Sequence, residues 1–129
     1  MRVLYSQFAA KFQNDTFDIW MRASVWDPFT NYGWYSTGVS TPDDGNIVRL
    51  TIVNDSTNSN VLVYKNGQLA ATMSNRQFEF TTLSMCRPHV GLYGGYFPGK
   101  IYETSMYNRA LTADEIEYNF NARRGRYGI

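Results

Sequence analysis

The C-terminal segment carries the one full set of helix signals in this sequence, which leaves strands and loops to build the rest. Thr112 suits the N-cap, and Glu115 three residues later completes a capping box. Arg124 lies where the helix dipole is negative, and Gly125 is placed to end the helix. A helix over about residues 112–123 is therefore predicted. Because about three turns are marginal alone, it must pack on other elements.

Before this helix, short strand-like runs alternate with turn-forming clusters. Hydrophobic and polar residues alternate over residues 16–23 and again over 48–53. Asn66-Gly67 separates the runs 61–65 and 68–72 and predicts a hairpin, because a type I′ turn needs positive φ at both central residues. Further strands are predicted over residues 2–8, 77–83, 89–93 and 99–107. Short strands at this spacing are typical of a sandwich or jelly roll, and 129 residues suit a single domain over 1–129.

Composition and charge exclude several classes of function. The chain has 12 basic and 11 acidic residues, a net charge of +1, which argues against a nucleic-acid partner. It has no apolar run long enough for a membrane span, so no membrane partner is expected. The N-terminus lacks the apolar core of a signal peptide, so synthesis in the cytoplasm is expected. Cys86 is the single cysteine, so no internal disulfide forms.

The region before and through the helix start resembles a known motif. Residues 97–116 read FPGKIYETSMYNRALTADEI. They resemble the closing motif of the laminin-G-like branch of the concanavalin A-like lectin/glucanase superfamily: Gly-x-Ile-x-Glu, then Tyr-Asn-Arg-Ala-Leu, then Thr or Ser before an acidic pair. The hairpin at residues 63–69 resembles the Tyr-x-Asn-Gly segment of that family. The resemblance covers about residues 47–122.

The resemblance implies an all-β fold, in which two antiparallel sheets form a jelly-roll sandwich and one short α-helix follows at the C-terminus. One concave sheet face often binds glycans in this family. Members also carry several strands upstream of the position that residues 2–23 match. An unpaired sheet edge must be paired or covered, so neighbouring subunits are expected as partners, in a homo-oligomer or from a particle shell or tail.

Catalysis is not expected. The glucanase branch carries Glu-x-Asp-x-x-Glu on one strand, and this spacing does not occur in the chain. Cys86 and His89 are not accompanied by an acidic residue that could orient the histidine. A zinc site needs three or four His or Cys ligands, and the chain has only these two. We therefore predict a non-enzyme with no catalytic residues and no required cofactor.

Calcium is a weaker hypothesis, since some relatives hold this ion at the rim of the sandwich. Asp43, Asp44 and Asp55 offer hard oxygen ligands in predicted loops. Tyr102 stands where the family often has an acidic residue, which weakens the analogy.

An aromatic segment before residue 36 is the main candidate for binding. Its aromatic and polar residues are Trp26, Asp27, Phe29, Asn31, Tyr32, Trp34 and Tyr35, and Tyr96 is a second, separate candidate. Aromatic rings stack on sugar rings while Asp and Asn bind hydroxyls, so the segment suits a glycan. The same residues suit a protein interface, or they fill the end of the core. These three interpretations stay open.

Two functions fit these features. The first is a virion structural, decoration or adhesion protein of a bacteriophage capsid or tail, located on a virion or extracellular surface. Residues 121–128 favour it, because their Asn-Ala-x-Arg-Gly-Arg-Tyr-Gly pattern resembles laminin-G-like domains of phage structural proteins. The second is a free carbohydrate-binding module that recognises a glycan through exposed aromatic residues.

Overall fold

Six strands and one helix make up the part of the chain that can be described. A computed structural model describes residues 10–13, 16–22, 32–40, 46–76 and 100–129. The elements are β1 (Ala10–Gln13), β2 (Thr16–Arg22), β3 (Tyr32–Ser40), β4 (Leu50–Asp55), β5 (Asn60–Lys65), β6 (Gln68–Ser74) and α1 (Ala113–Tyr127). The strands form two antiparallel sheets, ordered β1-β2-β3 and β4-β5-β6.

β5 is the centre of the second sheet, and its two faces pack on different elements. Val61 and Val63 are fully buried in a cluster with Val39 of β3, so the two sheets face each other. Tyr64 lies on the opposite face of β5 and clusters with Ile116 of α1. The helix therefore covers the outer face of the second sheet. This arrangement confirms the predicted antiparallel β-sandwich with a C-terminal helix.

The predicted hairpin between β5 and β6 is confirmed. Asn66 has φ 51° and Gly67 has φ 82°, as a type I′ turn requires. The Asn66 side-chain oxygen accepts the backbone N–H of Arg49 at 2.9 Å, and the Asn66 N–H donates to the Arg49 carbonyl at 2.8 Å. The turn is thereby tied to the chain just before β4.

The helix begins as predicted and ends later than predicted. The Thr112 hydroxyl accepts the Glu115 N–H at 3.2 Å, and a Glu115 carboxylate oxygen accepts the Thr112 N–H at 2.8 Å, which closes the capping box. Gly125 was expected to end the helix near residue 123, but α1 continues through it to Tyr127. Gly128 takes the left-handed conformation at the C-terminus, with φ 70°.

The later end has a physical reason. The Ile129 N–H donates to the Arg124 carbonyl at 3.2 Å, and the Gly128 N–H donates to the same carbonyl. These bonds satisfy terminal carbonyl groups and make Gly128 the terminating glycine. Within the described residues, no helix is long and apolar enough to cross a membrane.

The strand predictions hold in part. β2, β4, β5 and β6 lie at or near their predicted positions, while β1 and β3 were not predicted. The strand expected over 99–107 is wrong for residues 100–107, which are irregular. Side-chain contacts of Glu103, described below, join this segment to α1. The strands predicted over 2–8, 77–83 and 89–93 lie outside the described residues.

Candidate functional site

The aromatic segment ends in β3, and the pairing of β3 with β2 sorts its residues between two sheet faces. Trp34 is the register partner of Trp20, and Tyr32 is the partner of Arg22. Directly opposed residues in an antiparallel pair share one face, and so do residues two apart along a strand. The register therefore places these four positions on the same face of the first sheet.

Tyr35 belongs to the other face of β3. It is partly buried against the cluster of Val39, Val61 and Val63. The Arg76 guanidinium carbon lies 4.0 Å from the centroid of the Tyr35 ring, a cation–π contact. Tyr35 therefore contributes to the core between the sheets.

Side chains of β3 are described from Tyr35 onwards, and there the face that includes position 34 is the outer one. Ser36 and Gly38 are exposed, whereas Thr37 and Val39 are buried. Ser36 is also the register partner of Asp18. The register positions of Tyr32 and Trp34 lie on the same side of β3 as Ser36.

Trp20 was absent from the predicted site, although the sequence contained a signal for it. Asp18, Trp20 and Arg22 alternate with the apolar residues of β2, which places them on the polar face of that strand. The pairing of Trp20 with Trp34 depends on the β2–β3 register, which local sequence patterns do not specify.

The other predicted binding residues cannot be placed. Trp26, Asp27, Phe29, Asn31 and Tyr96 lie outside the described residues. Their role in binding stays a prediction.

Of the three calcium candidates, the structure describes only Asp55. Asp43 and Asp44 lie outside the described residues. Asp55 accepts the backbone N–H of Asn58 at 3.3 Å and its side-chain N–H at 2.7 Å, so both carboxylate oxygens stabilise the turn after β4. Among the residues that the structure describes, no three acidic, His or Cys side chains group closely enough to hold a metal.

Glu103 of the closing motif anchors the end of the helix. Its carboxylate pairs with Arg123 and accepts the hydroxyl of Tyr127 at 3.1 Å. Arg49 lies 4.0 Å from the same carboxylate, so the contact extends to the chain before β4. The Tyr102 ring also contacts the Tyr127 ring, at 5.8 Å between centroids. Glu103 therefore fastens the irregular 100–107 segment to α1.

Arg109 and Glu115 form a second fixed pair at the start of the helix. Two guanidinium nitrogens of Arg109 donate to the two carboxylate oxygens at 2.9 and 2.7 Å. These hydrogen bonds, together with the one from the Thr112 backbone, lower the pKa of Glu115 from 4.5 to about 2. A carboxylate with this pKa stays ionised at neutral pH and is unsuited to act as a general acid.

A shallow groove of about 480 Å³ lies between the 107–111 segment and α1. Tyr107, Leu111 and Tyr118 supply its apolar lining. The Asn119 amide donates to the Tyr107 hydroxyl at 3.4 Å, which links the two walls. The sequence prediction missed this groove, because Tyr107 was interpreted as part of a strand and Tyr118 was given no role.

Comparison with known proteins agrees with this architecture. The laminin-G-type sequence model of the concanavalin A-like lectin/glucanases superfamily matches residues 5–117. A crystal structure of part of an S-layer domain-containing protein from Clostridium thermocellum is similar, with a TM-score of 0.52 at 14% identity. The alignment covers 93% of this chain and 66% of that one. No curated protein sequence matches the chain. With a family match over this length, the chain belongs to the concanavalin A-like lectin/glucanases superfamily.

Proposed function

We propose that this chain is a non-enzymatic structural or adhesive module that works by joining other proteins in a large assembly. The specific setting that we propose is the surface of a bacteriophage capsid or tail. The lectin-like sandwich would serve there as a rigid scaffold, with neighbouring subunits docked on its surface.

The exposed hydrophobic side chains are the observation that carries this proposal. Six large ones lie on the described surface: Leu69, Ile101, Tyr102, Met106, Tyr107 and Tyr118. They are confined to the start of β6, the 101–107 segment and α1. Single exposed hydrophobic residues are ordinary, but several on neighbouring segments are typical of an interaction surface.

The roles of three described carboxylates support a non-enzymatic function. A retaining glycosidase needs two carboxyl groups about 5–5.5 Å apart, one of them free to act as an acid. Asp55 is bonded within its own turn, Glu103 holds the helix, and Glu115 caps it. Each of these three side chains has a structural partner that accounts for its position.

Two further features support the setting. The similar solved structure belongs to an S-layer domain-containing protein, which favours a surface location for this chain as well. Residues 121–128 resemble the end of laminin-G-like domains in phage structural proteins. Both features support our proposal that the protein works on a virion or extracellular surface.

The test is to tag the chain in its source, purify the native assembly and identify the co-purifying proteins by mass spectrometry. We expect stoichiometric amounts of a shell or tail protein, no hits on a glycan array and no hydrolysis of polysaccharides. A chain recovered without partners, or one that cleaves a polysaccharide, would contradict the proposal.

The second candidate is a free carbohydrate-binding module. The register pairing of Trp20 with Trp34 favours it, with Tyr32 and Arg22 as the next pair on the same face. Adjacent aromatic residues beside a charged one suit a sugar ring with its hydroxyl groups.

A glycan array with matched variants separates the two candidates. If the module binds a defined sugar, Trp34→Ala, Trp20→Ala and Trp26→Ala should each lower the affinity at least about tenfold, since aromatic stacking carries much of such binding. Tyr118→Ala, on the helix, is the control and should leave sugar binding unchanged. An array without hits for the native chain removes this candidate.

A further inference from the structure

The hairpin turn between β5 and β6 carries the one Asn-Gly pair of the sequence, Asn66-Gly67. An asparagine followed by glycine is chemically labile, because no side chain on the glycine hinders its backbone nitrogen from reaching the asparagine side chain. In this reaction the Gly67 nitrogen forms a bond to Cγ of Asn66, and the bond from Cγ to Nδ2 breaks. The departing amide takes the proton of the Gly67 N–H and leaves as ammonia. Water then opens the five-membered succinimide to aspartate or isoaspartate.

In the folded chain, Asn66 is held in a conformation that does not suit this reaction. Its Oδ1 accepts the Arg49 N–H at 2.9 Å, and its own backbone N–H donates to the Arg49 carbonyl at 2.8 Å. Its φ of 51° belongs to the type I′ turn. Ring closure requires Cβ of Asn66 and the Gly67 nitrogen to be nearly eclipsed about the Cα–C bond, which this turn geometry does not provide. The turn must therefore open before the ring forms.

Gly67, which supplies the attacking nitrogen, is covered by the helix. It is buried, and a Cβ added to it would lie 2.9 Å from Cδ1 and 3.0 Å from Cβ of Phe120. Phe120 is itself only 6% exposed. The Phe120 side chain therefore lies directly on the glycine, restricts any change of the turn and keeps water from the attacking nitrogen.

Few contacts hold α1 over this turn. Only Ile116 and Phe120 are buried among the 15 residues of the helix, and ion pairs of Glu103 and Glu115 fasten its two ends. An element with few buried side chains opens locally more readily than the core. A two-stranded hairpin without packing is at best marginally stable. Undocking of α1 is therefore the step that releases the turn.

We propose that Asn66 is a deamidation site whose reaction is gated by the docking of α1. With the helix docked, Asn66 keeps its amide. When the helix undocks, the turn opens and the succinimide forms. Isoaspartate carries the chain through its side-chain carbon and lengthens the turn by one atom, so it no longer fits the pairing of Lys65 with Gln68 that closes the hairpin. Undocking is thereby recorded irreversibly in the covalent structure.

The test is incubation of the full chain in mildly alkaline buffer, followed by mass-spectrometric peptide mapping of amide loss at each asparagine. Asn66 should react at least about tenfold more slowly in the native protein than in the same chain unfolded in guanidinium chloride. Phe120→Ala should raise the rate in the folded protein by about tenfold, because loss of the buried ring weakens docking and uncovers Gly67. Tyr118→Ala is the matched control, since Tyr118 lies on the same helix but is 73% exposed, and it should leave the rate unchanged. Circular dichroism verifies that each variant is folded.

A second measurement on the native protein does not depend on the folding of Phe120→Ala. In guanidinium chloride below the main unfolding transition, the rate at Asn66 should rise together with hydrogen exchange of the α1 amides, because the helix opens before the sheets.

Three results would overturn the inference: a reaction at Asn66 that is no slower in the folded protein than in the unfolded one, a native rate in folded Phe120→Ala, or a rate that rises only with global unfolding.

Discussion

Gly67 is under two separate constraints, and each of them excludes a side chain. Its φ of 82° is in the left-handed region, and an added Cβ would lie 2.9 Å from Cδ1 of Phe120. The first constraint comes from the hairpin and the second from the docked helix. One residue therefore links the local turn to the packing of α1.

Gly67→Ala should destabilise the protein by about 2–4 kcal/mol, the sum of about 1 kcal/mol of backbone strain and about 1–3 kcal/mol of overpacking against Phe120. Urea unfolding followed by circular dichroism measures this loss.

Gly38→Ala is the matched control. Gly38 has φ 72°, but among the described residues an added Cβ there meets nothing within 4 Å. This variant should lose only about 1 kcal/mol, the strain alone. Equal losses in the two variants would mean that Phe120 does not press on the turn.

Only the first constraint on Gly67 could be predicted from the sequence. Asn66-Gly67 between two alternating runs specifies a type I′ turn by local chemistry. The contact with Phe120 joins residues that are far apart in the chain, and it depends on where the helix docks. Tyr35 lies in the core, one of the three interpretations that the sequence left open, and its place there follows from the β3 alternation.

At the scale of elements, the start of α1 depends on the ionised form of Glu115. The folded protein lowers the pKa of this carboxyl from 4.5 to about 2, first through Arg109 and then through the Thr112 backbone. A lowered pKa means that the unfolded chain binds more protons at acid pH, so stability falls as the pH falls. The stabilisation is complete above about pH 4.5 and is lost towards about pH 2.

Glu115→Gln should therefore melt at a lower temperature than the native protein at pH 7, and the difference should shrink as the pH falls from about 5 to about 2. Thermal unfolding over a pH series measures this convergence. Arg109→Gln removes the main cause of the low pKa of Glu115. In an Arg109→Gln background, the melting curves with and without Glu115→Gln should therefore converge at a higher pH. Parallel curves for native protein and Glu115→Gln at all pH values would refute this role.

Glu103 fixes the other end of the same helix. Its carboxylate is 19% exposed and pairs with Arg123 and Tyr127, so its hydrogen bonds are partly shielded from water. Glu103→Gln should cost about 1–2 kcal/mol and should speed hydrogen exchange in the last turns of α1.

Glu117→Gln is the control for that variant, since Glu117 is exposed and accepts one long hydrogen bond, from Gln68 at 3.4 Å. It should change stability by less than about 0.5 kcal/mol. If the two variants behave alike, Glu103 does not anchor the helix.

The helix was the most predictable element because its start is encoded locally, in a cap and an acidic residue three positions later. Its end was predicted too early, because Gly125 and Gly128 are both plausible terminators in sequence. The backbone bonds that select Gly128 become visible only in the folded chain. β3 was missed because pairing with β2, and not local alternation, makes it a strand.

For the whole molecule, the sandwich was predicted from the hairpin and the closing motif, and the family match over residues 5–117 agrees. The candidate site was less predictable. The sequence pointed to the aromatic residues near β3, but the Trp20–Trp34 pairing depends on the strand register, and the groove beside α1 depends on how residues 107–111 lie against the helix. Surfaces of this kind depend on register and docking, which a single sequence specifies weakly.

The central claim is that this protein works as a component of an assembly. The most direct test is the mass of the native protein, measured by native mass spectrometry on material purified from its source without denaturation. The account predicts a mass well above the 14.8 kDa of one chain, from several copies or from a complex with a shell or tail protein. A cooperatively folded 14.8 kDa monomer that stays soluble and alone at high concentration would contradict it.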